Sequence, residues 1–144
     1  MSTRRLIETL GYAGLIPFYV LALAVWFPGN PLFEISGRGF VLYGVVILAF
    51  LGGTLWGYAV KLKGRKKQLR LVLSNLVALF AAGAGLLGNL FLAALLLAIG
   101  QILVLAYERS TTEIPGWYLG LRTRLVLGVM PAYLVFLWGW WLTG

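Results

Sequence analysis

Side chains able to do chemistry are few in this chain of 144 residues. The chain has four acidic residues, all of them glutamate, and no aspartate, histidine or cysteine. Thiolate nucleophiles, zinc sites of histidine or cysteine, and imidazole acid-base catalysis are therefore impossible for the chain acting alone. No glycine-rich phosphate loop and no pair of carboxylates within an apolar segment takes their place. We predict that the protein is not an enzyme and uses no metal or cofactor.

The remaining polar residues gather near one set of ends of the apolar segments described below. This group consists of Glu8, Tyr12, Thr54, Trp56, Asn75, Gln101, Glu108, Glu113, Trp117, Tyr118, Arg122 and Arg124. Unpaired amides in hydrocarbon cost several kcal/mol, so Asn75 and Gln101 are expected to find partners, most simply each other. Arg122 has a fork of donors that matches a phosphate or carboxylate.

Two interpretations of this polar group remain open at the sequence level. In the first, its members have a structural role alone and join the helices through hydrogen bonds. Alternatively they line a pocket for an amphipathic ligand, such as a lipid or a quinone, with an anionic or carbonyl head. For that pocket the candidate ligand-binding residues are Trp56, Asn75, Gln101, Trp117, Tyr118 and Arg122.

The elements that must position these residues are apolar. The chain is 61% hydrophobic and has a mean hydropathy of +0.93, whereas soluble domains are about 45–50% apolar. Residues 41–60 and 90–106 are apolar around the whole circumference of a helix, so they need lipid or protein on every side. The composition predicts an all-α integral membrane protein.

Five apolar stretches approach the roughly 20 residues that one crossing of the membrane needs. We predict a bundle of five transmembrane helices, in a single domain covering residues 1–144. The helices are expected at residues 10–27, 40–60, 71–87, 90–107 and 121–142. Residues 71–107 as one helix would be roughly 55 Å long against a hydrocarbon core of about 30 Å, so the chain must turn near Gly88 and Asn89.

The basic residues segregate to one side of this layout. The side that carries the N-terminus has Arg4, Arg5, Lys61, Lys63, Arg65, Lys66, Lys67, Arg70, Arg109, Arg122 and Arg124, and the other side has Arg38. The positive-inside rule then predicts that the N-terminus lies inside and the C-terminus outside. Orientation and anionic lipids account for the net charge of +8, so we expect no nucleic-acid partner.

Small residues recur at a spacing of four, which allows close approach of membrane helices. The candidate helix-packing positions are Gly53 and Gly57 in the second span, and Gly128 and Ala132 in the fifth. Packing within one chain is the expected use, and a homodimer face is the alternative. Prolines inside the first and fifth spans are expected to kink them.

Three segments of the chain resemble the DUF3429 family, which includes the transmembrane protein 69-like proteins. They are residues 10–18 (LGYAGLIPF), 43–57 (YGVVILAFLGGTLWG) and 114–122 (IPGWYLGLR). The chain departs from the family pattern at Leu55 and Val126, where relatives often have histidine and threonine. The resemblance implies a five-helix layout and a bacterial or mitochondrial inner membrane, and it implies no particular activity or ligand.

Three functions therefore remain open. The first is a non-catalytic module that binds an amphipathic ligand at the inner leaflet. The second is an accessory or assembly subunit of a larger inner-membrane complex, with lipids, other inner-membrane proteins or a second copy as partners. The third is a small transporter that acts as a dimer.

Overall fold

The computed structural model describes residues 2–111 and 114–143, and these residues form α-helices joined by short connections. The helices are α1 (Thr3–Ala13), α2 (Ile16–Ala24), α3 (Phe33–Ala59), α4 (Gly64–Gly85), α5 (Leu90–Arg109) and α6 (Gly116–Thr143). The part of the chain described contains no β-strand. The all-helical fold predicted from the sequence is confirmed.

Five stretches are long and apolar enough to cross a membrane: α1 together with α2 (Thr3–Ala24), then α3, α4, α5 and α6. The predicted five spans are therefore confirmed, although several helices extend beyond the predicted limits. For example, α3 begins at Phe33 rather than at residue 40, and α6 begins at Gly116 rather than at residue 121. Polar residues on these extensions stay helical because an α-helix satisfies its own backbone hydrogen bonds.

The first span is broken at Gly14 and Leu15, between α1 and α2. Pro17 follows the break and lacks the N–H group that would donate to the preceding turn. The hydroxyl of Tyr43 in α3 donates to the carbonyl oxygen of Gly14 at 2.8 Å, which satisfies a backbone group beside the break. In contrast, α6 continues as one helix through Pro131.

The turn between α4 and α5 lies where the sequence predicts it. Gly88 has a φ of +75°, a conformation that only glycine adopts readily. The side chain of Asn89 then caps α5 by accepting a hydrogen bond from the backbone N–H of Leu92 at 3.1 Å. These two residues make the tight hairpin that the length of the apolar stretch requires.

Consecutive spans alternate in direction, so the N-terminus of α1, the α3–α4 loop and the α5–α6 connection lie at the same end of the bundle. We call this the basic end, because all the arginines and lysines except Arg38 lie in or near these segments. At the opposite end, aromatic rings of α2, α3 and α6 form the core. Phe40 stacks on Phe136 with ring centroids 4.1 Å apart and meets the edge of Tyr133 at 5.0 Å.

A close contact with backbone joins α3 to α4 at Gly52. The Ser74 hydroxyl donates to the Gly52 carbonyl at 2.6 Å. A Cβ atom added to Gly52 would lie 2.9 Å from the Ser74 carbonyl oxygen, which is closer than real Cβ contacts. This contact depends on the absence of a side chain at Gly52.

Two of the four predicted packing positions differ from the expectation. A Cβ atom added to Gly53 or Gly57 would meet no atom within 4 Å, so neither glycine packs against another helix of this chain. The glycine one residue earlier, Gly52, contacts α4 instead. Gly128, whose added Cβ would lie 3.0 Å from Leu15, and the fully buried Ala132 do pack internally.

Replacing Gly52 with alanine is expected to destabilise the bundle by about 1–3 kcal/mol, because the added methyl group meets fixed backbone on α4. Gly53→Ala is the matched control in the same helix. It is expected to change the free energy of unfolding by less than about 0.5 kcal/mol. Thermal unfolding of both variants in the same detergent measures the difference, and equal melting temperatures would contradict the α3–α4 contact.

Candidate ligand-binding cavity

A buried ion pair joins α5 to α6 near the basic end. The Arg122 Nε donates to Glu108 Oε1 at 3.0 Å, and the two side chains are 5% and 0% exposed. Removing two charges from water is costly, and only close pairing with further hydrogen bonds offsets that cost. Glu108 Oε2 and Arg122 Nη2 are buried without hydrogen-bond partners among the described residues. The pair therefore has one unused acceptor, Glu108 Oε2, and one unused donor, Arg122 Nη2.

Three more polar side chains lie near this pair. Tyr118, one turn before Arg122 on α6, is close enough to Glu108 and to Thr54 of α3 to interact with both. Thr54 uses its own proton in a hydrogen bond to the Leu51 carbonyl at 2.7 Å, so its oxygen can accept a second bond. Gln101, on α5, is 3% exposed, and its Nε2 makes no hydrogen bond within the described residues, although the buried Tyr133 hydroxyl of α6 is close enough to interact with this side chain.

These polar residues adjoin a cavity of about 420 Å³ in the half of the bundle nearer the basic end. The cavity lies between the first span, α3, α5 and α6. Its lining consists of Ile7, Leu10, Gly11, Gly14, Leu15, Phe18, Ile47, Phe50, Leu51, Thr54, Gln101, Tyr118, Leu121, Arg122, Leu125 and Val129. Four of these side chains are polar and the others are apolar or glycine, so the cavity is apolar over most of its surface with a small polar part.

The helix α1 forms the outer wall of this cavity. It has no buried residue, and its contact with α6 is sparse. Exposed charges hold it at the basic end. Glu8 pairs with Arg124 of α6 at 3.5 Å, and the Arg4 guanidinium lies 5.2 Å from the ring centroid of Trp117. Surface pairs of this kind contribute about 0–1 kcal/mol each, so α1 is the most weakly attached part of the first span.

Comparison with known proteins assigns the chain to one protein family. The profile of the family described as "Protein of unknown function (DUF3429)" matches residues 3–138. The chain belongs to the DUF3429 family. The match confirms the resemblance found in three segments of the sequence.

One curated relative of this DUF3429 chain is Transmembrane protein 69 of Xenopus tropicalis. The two are 35% identical over 122 residues, which cover 82% of this chain and 48% of the relative. The chain thus spans about half the length of that relative. No solved structure matches the chain.

The segments that carry the family resemblance supply most of the cavity lining. Residues 10–18 contribute the wall of the first span, residues 43–57 contribute the side formed by α3, and residues 114–122 contribute Tyr118 and Arg122. These segments are far apart in the sequence and converge only in the folded bundle. The three segments in which the resemblance was found therefore meet around this cavity.

The structure brings together three of the six candidate ligand-binding residues, namely Gln101, Tyr118 and Arg122. The other three lie elsewhere. Trp56 is 46% exposed on the outer face of α3. Asn75 is exposed on α4 and donates to the Leu71 carbonyl in its own helix at 3.1 Å, so it does not pair with Gln101 as expected.

Trp117 is the third candidate residue outside the cavity lining. It lies beside Arg4, at the start of α1. Glu113 of the predicted polar group falls outside the described residues.

The sequence did not single out Glu108 and Thr54 as binding residues, although both belong to the polar group. Glu108 is the acid within the span of α5, and Arg122 is a base at the start of α6 near the same end. Two opposite charges at one depth of neighbouring helices are expected to pair, because a single charge there is costly. That signal was present in the sequence and would have identified the pair.

Glu108→Gln is expected to destabilise the protein by about 3–5 kcal/mol, because it leaves the Arg122 charge buried without its partner. Arg124→Gln, on the same helix but exposed, is the control, and it is expected to cost about 0–1 kcal/mol. Unfolding of both variants in one detergent compares them. If Glu108→Gln is no less stable than Arg124→Gln, the ion pair is not a structural contact.

Proposed function

We propose that this protein binds an amphipathic molecule, such as a lipid or a quinone, in the cavity at the basic end, and that it catalyses no reaction itself. The observation that supports this most is the cavity of about 420 Å³ with Gln101, Tyr118 and Arg122 grouped in its lining. Ligand pockets are commonly about 300–1,000 Å³, mostly apolar, with a few polar groups that orient the ligand.

The arrangement of the lining suits a molecule with one polar and one apolar part. Thr54, Tyr118 and Arg122 lie toward the helix ends at the basic end, and Phe18 and Val129 lie farther along the same spans. A head group would contact the polar side chains while a chain or ring lies among the apolar ones. The buried donor of Gln101 would then gain a partner, which removes the cost of leaving it unpaired.

The weakly attached α1 provides a route between the cavity and the surrounding lipid. Gly14 and Leu15 separate α1 from α2, so α1 can tilt away without disturbing the rest of the first span. In contrast, α2 is held to α6, because Trp26 Nε1 donates to the Val135 carbonyl at 2.9 Å. We therefore infer that a ligand reaches the cavity from the bilayer by displacement of α1.

The distribution of charge supports an orientation for this site. The positive-inside rule assigns the basic end to the inner face of the membrane, with the N-terminus inside and the C-terminus outside. The cavity then opens at the inner leaflet. We propose the bacterial inner membrane, or the mitochondrial inner membrane in a eukaryote, as its location.

Photolabelling tests the proposed cavity. Two probes carry a diazirine in a hexadecyl chain, one with an alcohol head and one with a phosphate head. We expect saturable labelling of α1, α3 and α6 by at least one probe, with excess unlabelled probe as competitor. Leu125→Trp fills the cavity and is expected to reduce this labelling at least about tenfold, equivalent to about 1.4 kcal/mol.

Leu127→Trp is the matched control, because Leu127 is 67% exposed on the same helix. It is expected to leave the saturable labelling unchanged. Ile47→Trp fills the cavity from α3 and replaces Leu125→Trp if that variant does not fold. Labelling that no competitor reduces, or that the cavity-filling and control variants share, would mean that the probes only sample bulk lipid.

A further inference from the structure

The cavity has one charged residue in its lining, and that charge is already compensated. We propose that the cavity selects an amphipathic molecule with an uncharged head that accepts hydrogen bonds, as the carbonyl and hydroxyl groups of a diacylglycerol do. This inference rests on the proposed function and narrows its ligand class. Of the two heads that the sequence left open, anionic or carbonyl, it favours the carbonyl, so Arg122 would not serve as the anchor for a phosphate or carboxylate.

Charge balance is the first argument. Among the residues that line the cavity, Arg122 alone is charged, and Glu108 lies 3.0 Å from its Nε. Glu108 is 0% exposed, so it remains beside Arg122 in the bundle interior. An anionic head would place a second negative charge next to one arginine already paired with one glutamate. In a low-dielectric interior that arrangement is unfavourable, since every buried charge needs its own partner.

The available hydrogen-bonding groups are the second argument. Gln101 Nε2 and Arg122 Nη2 are buried donors without hydrogen-bond partners among the described residues. A carbonyl or hydroxyl oxygen can accept from such donors without bringing a charge. Thr54 has committed its proton to the Leu51 carbonyl, so its oxygen can only accept, either from the neighbouring Tyr118 hydroxyl or from a hydroxyl head. The lining thus suits a head with both an acceptor and a hydroxyl.

Other charges lie outside the cavity lining, at the surface of the basic end. Glu8 pairs with Arg4 and with Arg124, each at 3.5 Å, and both arginines are more than half exposed. These cations attract anionic lipids to the surface of the protein. A test of head-group selection must therefore report from inside the cavity rather than from total lipid binding.

A cysteine reporter provides such a test, because the natural chain contains no cysteine. Leu125→Cys places one thiol in the cavity lining, and Leu127→Cys places one on the exposed face of the same helix. Each full-length variant is reconstituted in phosphatidylcholine nanodiscs. The rate of modification by a membrane-permeant maleimide is measured with added dioleoylglycerol or dioleoylphosphatidic acid. The two lipids have identical acyl chains and differ only in the phosphate.

We expect dioleoylglycerol to slow modification of Leu125→Cys at least about tenfold more than dioleoylphosphatidic acid does at equal mole fraction. The reason is that an uncompensated buried charge weakens binding by at least about this factor of ten. Neither lipid is expected to slow modification of Leu127→Cys. A second matched pair, hexadecanol and hexadecyl phosphate, is expected to give the same order.

Glu108→Gln in the Leu125→Cys background tests the cause of the selection. The substitution leaves Arg122 uncompensated, so the preference is expected to reverse toward dioleoylphosphatidic acid. A folded Glu108→Gln variant that still prefers the glycerol would overturn the charge-balance argument. If that variant does not fold, the hexadecanol and hexadecyl phosphate pair on the natural Glu108 decides the proposal.

The remaining outcomes separate this inference from the proposed function. Equal or stronger protection of Leu125→Cys by dioleoylphosphatidic acid would overturn the neutral-head inference and leave an amphipathic ligand in place. No protection by any of the four probes would overturn the proposed function, and the inference with it.

Discussion

The low dielectric of the membrane interior is the constraint on which the rest of this structure depends, and the Glu108–Arg122 pair shows its effect most directly. Either charge would be strongly destabilising at its position without the other. Their contact at 3.0 Å fixes how α5 and α6 face each other at the basic end. It also places a compensated cation beside the cavity. The same contact thus contributes to the helix packing and to the charge balance of the cavity lining.

The same constraint explains why the two halves of the first span differ. In α2, the hydroxyl of Tyr19 donates to the Gly128 carbonyl and the indole of Trp26 donates to the Val135 carbonyl, so polar groups tie α2 to α6. In α1, the polar contacts to the bundle are exposed and weak. The cavity lies beside the half of the span that lacks buried ties. The half of the first span nearer the basic end is therefore held less firmly than α2, as the proposed entry of a ligand from the bilayer would require.

The sequence predicted the elements of this fold better than their rotation. Five spans and the turn at Gly88 follow from the length of the apolar stretches, which can be read directly from the sequence. The face of a helix that turns inward is harder to predict, because neighbouring positions on a helix point about 100° apart and an error of one residue changes the face. Gly52 packs where Gly53 was expected to, and Asn75 is exposed where Gln101 is buried. Spans that are apolar all round carry no amphipathic pattern to indicate their inner face, so Trp56 and Trp117 could not be excluded from the site in advance.

The coupling energy between Glu108 and Arg122 tests the central claim most directly. The single reversals Glu108→Arg and Arg122→Glu and the double reversal that swaps the two charges form one cycle with the natural protein. Melting temperatures of all four in one detergent provide the measurement. The double reversal is expected to be more stable than either single reversal, with a coupling of at least about 1–3 kcal/mol. If the two single effects simply add, the pair is not the contact that organises this end of the bundle.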